Sequence, residues 1–317
     1  MLTFFPTLYP DELWYSALCR YQVRTGNTNT LLTKSGVDSN LLLPDSGIYE
    51  TTKLLPQGVF DIENIIINHT LFPYFCRMYP LEEKMEMIKD LSMGTPMNPK
   101  WKNREKQTKT VLRYCPICKR EEQLLYGESY WHREHQLPLM AVCPKHHCKL
   151  EEFIGEGYWK LKVFLPDFIE EEIEPSYEAE PYEVLLSNLL YQYLTAPIEM
   201  GPTDGYSNLQ YEIKQKYQNI LHGHIFLLDA DQLYADLVSL YGADIIKGYF
   251  GKKIRKTLPA QLQKWRFHAP EFYILLAGLM NQTPEITFGA PLSENMLGNR
   301  VDGAYGVKMK QLNQKTA

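Results

Sequence analysis

The sequence predicts a mainly α-helical protein in which helix-turn-helix-like modules flank a small zinc-binding module with little β structure. Three observations lead there. Apolar residues recur at helical spacing through most of the 317 residues, as in Leu13, Ala17, Leu18 and Tyr21 and again in Leu233, Leu237 and Leu240. Glycines and prolines stand where helices stop or start. Between Tyr114 and Cys148 the chain reads YCPICKREEQLLYGESYWHREHQLPLMAVCPKHHC, with two residues between Cys115 and Cys118 and again between Cys143 and His146.

Taken in order, Pro6 and Pro10 keep the first residues extended. A helix is expected from Asp11, its acids favouring the positive end, and Gly26 should stop it. Asn27–Thr30 offer caps for a short second helix carrying Leu31 and Leu32 and ended by Gly36; Ser39 and Asn40 could cap another. Such short helices suit a helix-turn-helix, and a plain helical core fits the same residues. Residues 51–60 read as a loop. Asp61 should cap a helix containing Ile62, Ile65, Ile66 and His69, with His69 a core residue holding a backbone partner. Leu81 to Met93 should form the next helix, burying Leu81, Met85, Ile88 and Leu91 and closing at Gly94.

The stretch MNPKWKNREKQTKT then concentrates Lys100, Lys102, Arg104, Lys106 and Lys109, followed by Arg113. A run of cations beside a metal module suits phosphate contact, and equally a solvated linker. In the module itself, two-residue gaps let each half-site turn both ligands onto one metal, with Pro116 and Pro144 stiffening the turns. Three thiolates and an imidazole suit one tetrahedral structural Zn²⁺, held by Cys115, Cys118, Cys143 and His146. The spacing favours His146 as fourth ligand, with Cys148 next and His147 beside it. Tyr126, Tyr130, Trp131 and His135 should supply the module's core. His132 and His135 read as packing or surface residues, and Arg133 as a candidate phosphate contact.

Residues 151–183 are acid-rich. Tyr158 to Phe164 alternate weakly like a strand, and Glu170 to Glu183 read as an exposed linker that would repel DNA. Helices are expected over Val184–Leu194, Leu209–Leu221 and, capped by Asp229 and Asp231, up to Gly242. The next segment, ADIIKGYFGKKIRKTLP, again suits a helix-turn-helix, and Lys252, Lys253, Arg255 and Lys256 cluster after it as a second candidate DNA contact. Pro259 and Pro270 each start a further helix; beyond Asn281 the pattern lapses. The expected organisation is a helical domain over 1–96, basic linker and zinc finger over 97–155, acidic linker over 156–184, C-terminal helical domain over 185–285, and a flexible tail over 286–317.

A hydrophobic fraction of 44% supports packed cores. No run of eighteen apolar residues occurs, so no membrane span is expected, and the apolar start lacks the basic region of a signal peptide. Six cysteines, most of them in one metal-like cluster, fit a reducing cytoplasm; Cys19 and Cys76 read as buried core thiols. A net charge of −5 argues against nonspecific coating of nucleic acid, so DNA contact must come from local patches. Catalytic signatures are missing. GYFGKK lacks phosphate-loop spacing, no G-x-S-x-G occurs, and Glu134-His135 lacks the second histidine of a zinc protease. No catalytic residue is assigned.

The ordered motifs YCPxC, YGExYWxRxHQLP and CPKH resemble the zinc module of the TniQ/TnsD family. Upstream, PDELWYSALCRY and HTLFPYF resemble that family's N-terminal signatures, so the likeness runs from Pro10 to about Leu150. It implies a non-enzymatic, cytoplasmic adaptor for transposon target-site selection. The implied partners are double-stranded target DNA and an AAA+ ATPase regulator, through which the transposase is recruited. The chain is short beside the family's long members. That fits a short family type, a truncated chain, or a member that leaves sequence reading to an RNA-guided complex. A zinc-stabilised DNA-binding transcriptional regulator is the alternative; a nuclease or hydrolase is a more distant one.

Overall fold

In a computed structural model the described residues are 2, 4–26, 42–44, 47–56, 58–95, 111–153, 163–202, 208–221, 225–250 and 270–289; for 218–221, 225–228 and 249–250 the backbone alone is described. The expected helices over 27–40, residues 158–162 of the strand expected over 158–164, the helix at Pro259 and residues 290–317 of the tail expected over 286–317 lie outside these residues; Val163 and Phe164 are described and form no strand. The chain divides into two compact units. Unit 1 is Met1–Arg77, Leu81–Glu199 and Ala269–Glu271; unit 2 is Met78–Pro80, Met200–His268 and Phe272–Ala317. The described residues are mainly helical, with two two-stranded sheets. No helix among them is long and apolar enough to cross a membrane.

Unit 1 is built on α1 (Trp14–Thr25), whose residues from Trp14 to Gln22 are all buried. The helix starts three residues later than expected. Asp11 takes a left-handed φ of 53° and Glu12 bridges to His132, so both acids are committed to tertiary contacts and leave the helix end to Leu13. Gly26, at φ 64°, closes the helix as foreseen. The expected loop over 51–60 begins later, because α2 (Gly47–Thr52) occupies its first residues. Next comes α3 (Ile62–Asn68), where the Asp61 carboxylate accepts from Glu63 N at 3.0 Å. His69 follows, with Nδ1 2.7 Å from the Glu12 carbonyl oxygen and burial holding its pKa down, which is the core role read from sequence. α4 (Phe72–Phe75) lies wholly buried.

In α5 (Leu81–Ser92) the buried stripe differs from the expected one. Leu81 and Met85 are 41% and 44% exposed, whereas Lys84 is buried with Ile88 and Leu91. The Lys84 stem fills the apolar face and its Nζ donates to Ile198 O at 3.0 Å, a partner far away in sequence. After α5, Gly94 adopts φ 74°, and a Cβ there would overlap the Tyr49 ring. Gly94→Ala should therefore cost about 1–2 kcal/mol from the left-handed backbone alone, plus displacement of Tyr49. Urea denaturation of the purified chain would read the loss.

β1 (Leu112–Tyr114) pairs antiparallel with β2 (Glu151–Phe153), setting Leu112 opposite Phe153 and Tyr114 opposite Glu151. Between them stand α6 (Pro116–Tyr126) and a 3₁₀ turn, Glu134–Gln136. The acidic segment is not a free linker over its described residues, 163–180. Lys119 Nζ donates to Ile169 O at 2.6 Å, Lys149 N to Ser176 O at 2.7 Å, and Ser129 N and Oγ to the Asp167 carboxylate. Cations and amides of the module thus draw the acidic chain onto unit 1. It leads into α7 (Pro181–Thr195), whose C-terminal carbonyls receive the buried Arg77 guanidinium: Nε to Tyr193 O at 2.9 Å and Nη2 to Ala196 O at 2.6 Å. This segment of unit 1 runs on to Glu199.

Unit 2 begins its regular structure with α8 (Asn208–Tyr217). The helix stops four residues before the expected Leu221, because β3 (Gln218–Leu221) pairs with β4 (Ile225–Leu228) as an antiparallel hairpin. That pairing satisfies backbone groups across the strands and suits the β-branched and aromatic residues of the two segments. Asp229 accepts from Gln232 N at 3.0 Å and caps α9 (Ala230–Tyr241), which buries Leu233, Leu237 and Tyr241. Gly242, at φ 82°, turns the chain directly into α10 (Ala243–Phe250). α11 (Pro270–Leu279) starts at the proline that predicts it, and Tyr241 Oη donates to Leu275 O at 2.9 Å. The pattern does not lapse after Asn281, as α12 (Pro284–Phe288) follows.

Candidate metal centre

Cys115 leaves β1 in extended conformation and caps α6. Its Sγ accepts from Cys118 N at 3.4 Å, and Pro116 at the first helical position needs no N–H partner. The cap places Cys118 in the first turn, so both sulfurs sit at the positive end of the helix, where a thiolate is favoured. The second half-site is a tight turn. Val142 bridges to Lys149, Cys143 N donates to Cys148 O at 2.9 Å, and His146 N donates to Cys143 Sγ at 3.4 Å. Within it His147 takes φ 56° and is exposed.

The two half-sites meet. His146 Nδ1 lies 3.4 Å from Cys115 Sγ, 3.3 Å from Cys118 Sγ and 3.7 Å from Cys143 Sγ, and the Cys118 and Cys143 sulfurs are 3.8 Å apart. Ligand atoms of Cys115, Cys118, Cys143 and His146 all fall within 4.8 Å of one another and could hold a metal ion. Cys148 is buried with its Sγ 3.4 Å from that of Cys115, but it stands outside this group of four. His146 Nε2 lies 3.2 Å from Glu121 Oε2, on the side of the ring away from the sulfurs. All six cysteines are free thiols. Burial pushes Cys19 and Cys76 up to about 12, so these two are inert core residues.

The cluster is locked into unit 1 through the segment between its half-sites. Leu13 N donates to Trp131 O at 2.8 Å, Trp131 N to Ser16 Oγ at 3.1 Å, and Tyr130 Oη to Pro10 O at 3.0 Å. Trp131 and His135 are fully buried and Tyr130 nearly so, while Tyr126 is half-buried and stacks on Tyr9 at 4.2 Å. Arg133, read from sequence as a phosphate contact, is instead internal. Its Nε donates to Asp11 Oδ1 at 2.8 Å and its Nη1 to the Ile67 and Thr70 carbonyls. Arg113 likewise turns inward, donating to Met140 O at 2.7 Å and Leu137 O at 2.8 Å. In both cases carbonyls of other segments claim the guanidinium, a demand invisible in composition.

Sequence reasoning also missed the cluster about Arg20. Its guanidinium joins Glu12 and Glu128, each at 2.8 Å, and lies 3.7 Å above the Tyr9 ring. The spacing of Glu12 and Arg20 carried a faint sign, eight residues apart across the start of one helix. Of the candidate DNA contacts, Lys100, Lys102, Arg104 and Lys106 and also Lys252, Lys253, Arg255 and Lys256 lie outside the described residues.

Residues 3–150 match the TniQ family model. The transposition protein TnsD of transposon Tn7 from Escherichia coli is 27% identical over 164 residues, covering 45% of this chain and 30% of that protein. The chain thus spans less than a third of the relative's length, and the residues matched by the family model, 3–150, include α1, α3 and the Cys/His centre. Residues 3–150, a little under half of this chain, are thus similar to the TniQ family, as 45% of the chain is to TnsD.

Proposed function

We propose that the chain is a transposon target-selection adaptor. It binds target DNA, holds an AAA+ ATPase regulator there, and thereby brings in the transposase, with no chemical step of its own. The observation that carries this reading is the family match over residues 3–150, together with a relative named as a transposition protein. In that half, Cys115, Cys118, Cys143 and His146 hold one structural Zn²⁺. Tetrahedral zinc with Zn–S of about 2.3 Å and Zn–N of about 2.0–2.1 Å spaces its ligand atoms roughly 3.5–3.8 Å apart. The separations of 3.3–3.8 Å support that fit. Four protein ligands leave no open position, so the ion orders the fold rather than activating water.

Duplex DNA would meet the basic run Lys100, Lys102, Arg104 and Lys106 and the cluster Lys252, Lys253, Arg255 and Lys256. The second cluster follows the α9–Gly242–α10 pair, an arrangement compatible with a helix-turn-helix. Sequence choice would come from the chain itself or from an RNA-guided complex to which it attaches. The experiment has two arms. In the first, the chain is mixed with an AAA+ transposition regulator and a DNA duplex; co-elution of all three is expected. DNA binding without the ATPase would favour a transcriptional regulator instead. In the second, Lys252, Lys253 and Arg255 are changed together to Gln. The slope of log K against log salt should flatten by about 0.9 per lost phosphate contact, and an unchanged slope would remove that cluster from the interface.

A further inference from the structure

Beside the Cys/His centre lies a second group of ligand-type atoms that neither the family match nor the zinc reading uses. His132 Nδ1, Glu134 and His135 sit together, their ligand atoms within 4.8 Å of one another. Glu134 Oε1 is 4.0 Å from His132 Nδ1 and 3.7 Å from His135 Nε2. The two imidazole rings stand 4.7 Å apart between centroids. All three residues are largely or wholly buried: side-chain exposure is 13% for His132, 10% for Glu134 and 1% for His135.

What singles the group out is its hydrogen bonding. His135 has no hydrogen-bond partner on either ring nitrogen, and His132 has none on Nδ1. A neutral imidazole carries one donor and one acceptor, and a native interior rarely leaves both idle. The other nitrogen of His132, Nε2, contacts the Glu122 carboxylate, which in turn accepts from Tyr130 N at 3.2 Å. That is the arrangement metal-bound histidines use, with the non-ligating N–H given to a carboxylate so that the remaining nitrogen is fixed and basic.

The frame is rigid enough to hold such a site. His132 is bridged to Glu12, Glu134 N donates to Asp11 Oδ2 at 2.9 Å, and Gln136 Nε2 donates to His132 O at 2.9 Å. The bridge at His132 and the 3₁₀ turn over Glu134–Gln136 fix the backbone on either side of Arg133 and so hold the two histidines in place. A tetrahedral ion with bonds of about 2.0–2.1 Å spaces nitrogen and oxygen ligands roughly 3.3–3.4 Å apart. The two gaps to Glu134, 3.7 and 4.0 Å, thus need closing by less than an ångström, and the ligand atoms of the two imidazoles lie within 4.8 Å of each other.

We propose that His132, Glu134 and His135 form a second metal site for a borderline divalent cation of the Zn²⁺ class, adjoining the thiolate cluster where Cys118, Glu122 and His132 bring ligand atoms within 4.8 Å of one another. Two imidazoles and one carboxylate suit that class and leave one position for water or a partner's ligand. Zn²⁺ itself is the probe. The chain, with one equivalent already bound, is titrated with Zn²⁺ by calorimetry, and metal content is measured at saturation. Two equivalents are expected. Glu134→Gln keeps the shape of the side chain and should weaken the second equivalent by about a hundredfold or more, leaving the first untouched. His135→Gln should do the same.

Co²⁺ separates this site from the thiolate one. The first equivalent should bring sulfur-to-metal charge-transfer absorption; the second should add only ligand-field bands, and E134Q should lose those alone. One equivalent at saturation in the wild-type chain would overturn the proposal, as would two equivalents with unchanged affinity in folded E134Q. Loss of the charge-transfer bands in wild type would strike the thiolate site and not this one.

Discussion

With the proposed zinc at the thiolate centre, Cys115→Ser will release it and unfold the module around it. Cys115 serves three ends at once. It caps α6, its sulfur lies 3.4 Å from His146 Nδ1, and it continues β1 into the helix. Serine keeps a cap but offers a poor ligand for a borderline ion. Structural zinc contributes on the order of 10 kcal/mol to folding. That rivals the entire stability of an ordinary domain, about 5–15 kcal/mol, so weakening the site is not absorbed locally. The damage should spread to α1, since Leu13, Ser16 and Pro10 bind the Tyr130–Trp131 segment directly. Metal analysis and thermal melting by circular dichroism provide the check. Cys143→Ser should behave alike, whereas Cys148→Ser, outside the group of four, should keep both metal and fold. A soluble, cooperative, metal-free Cys115→Ser would contradict this account.

The contrast between what was legible and what was not follows from the range of the interactions. Gly26, Asp61 and Asp229 announce helix ends because capping is settled within a few residues. The half-sites at 115–118 and 143–146 announce ligands for the same reason, as a two-residue gap is a local turn. Failures cluster where distant chain takes over. Asp11 and Glu12 look like helix-start acids, yet Arg133 and Arg20 claim them from other segments. Lys84 looks solvent-facing until Ile198 O supplies its Nζ with a partner. Arg133 and Arg113 look like free cations until loop carbonyls occupy them. The end of α8 was misread because its continuation pairs as a strand with residues 225–228. Charge in this sequence therefore predicted surface and found interior, and the cost of that interior charge can be measured.

Arg20→Met will destabilise unit 1 by about 3–5 kcal/mol, the usual penalty for leaving buried charge without its partner. Arg20 is 1% exposed, and Glu12 opposite it is fully buried. Burial pushes Glu12 up to about 7 even though Arg20 opposes the shift. Glu128 behaves differently: burial raises it, but Arg20, Tyr9 and Arg24 together outweigh that and hold it below its ordinary value. One guanidinium therefore holds down two carboxyls, and methionine would fill its volume without its charge. The sign of the pH dependence follows. A carboxyl raised in the folded state binds its proton more tightly there than when unfolded. Its contribution is most favourable at low pH and is lost as pH rises through the folded value. In the wild type that loss runs from the ordinary carboxyl range to about pH 7. Without Arg20 the Glu12 value climbs further, and the loss extends into alkaline solution. The deficit of Arg20→Met relative to wild type should thus be larger at pH 9 than at pH 6, a window chosen above the acid range in which protonated thiols would release metal. Denaturation midpoints at the two pH values test it. The double variant Arg20→Met with Glu12→Gln should recover part of the loss and flatten its pH dependence, because it removes the stranded acid as well as its partner. A deficit that does not change with pH would mean that Arg20 acts through packing over Tyr9 rather than through charge.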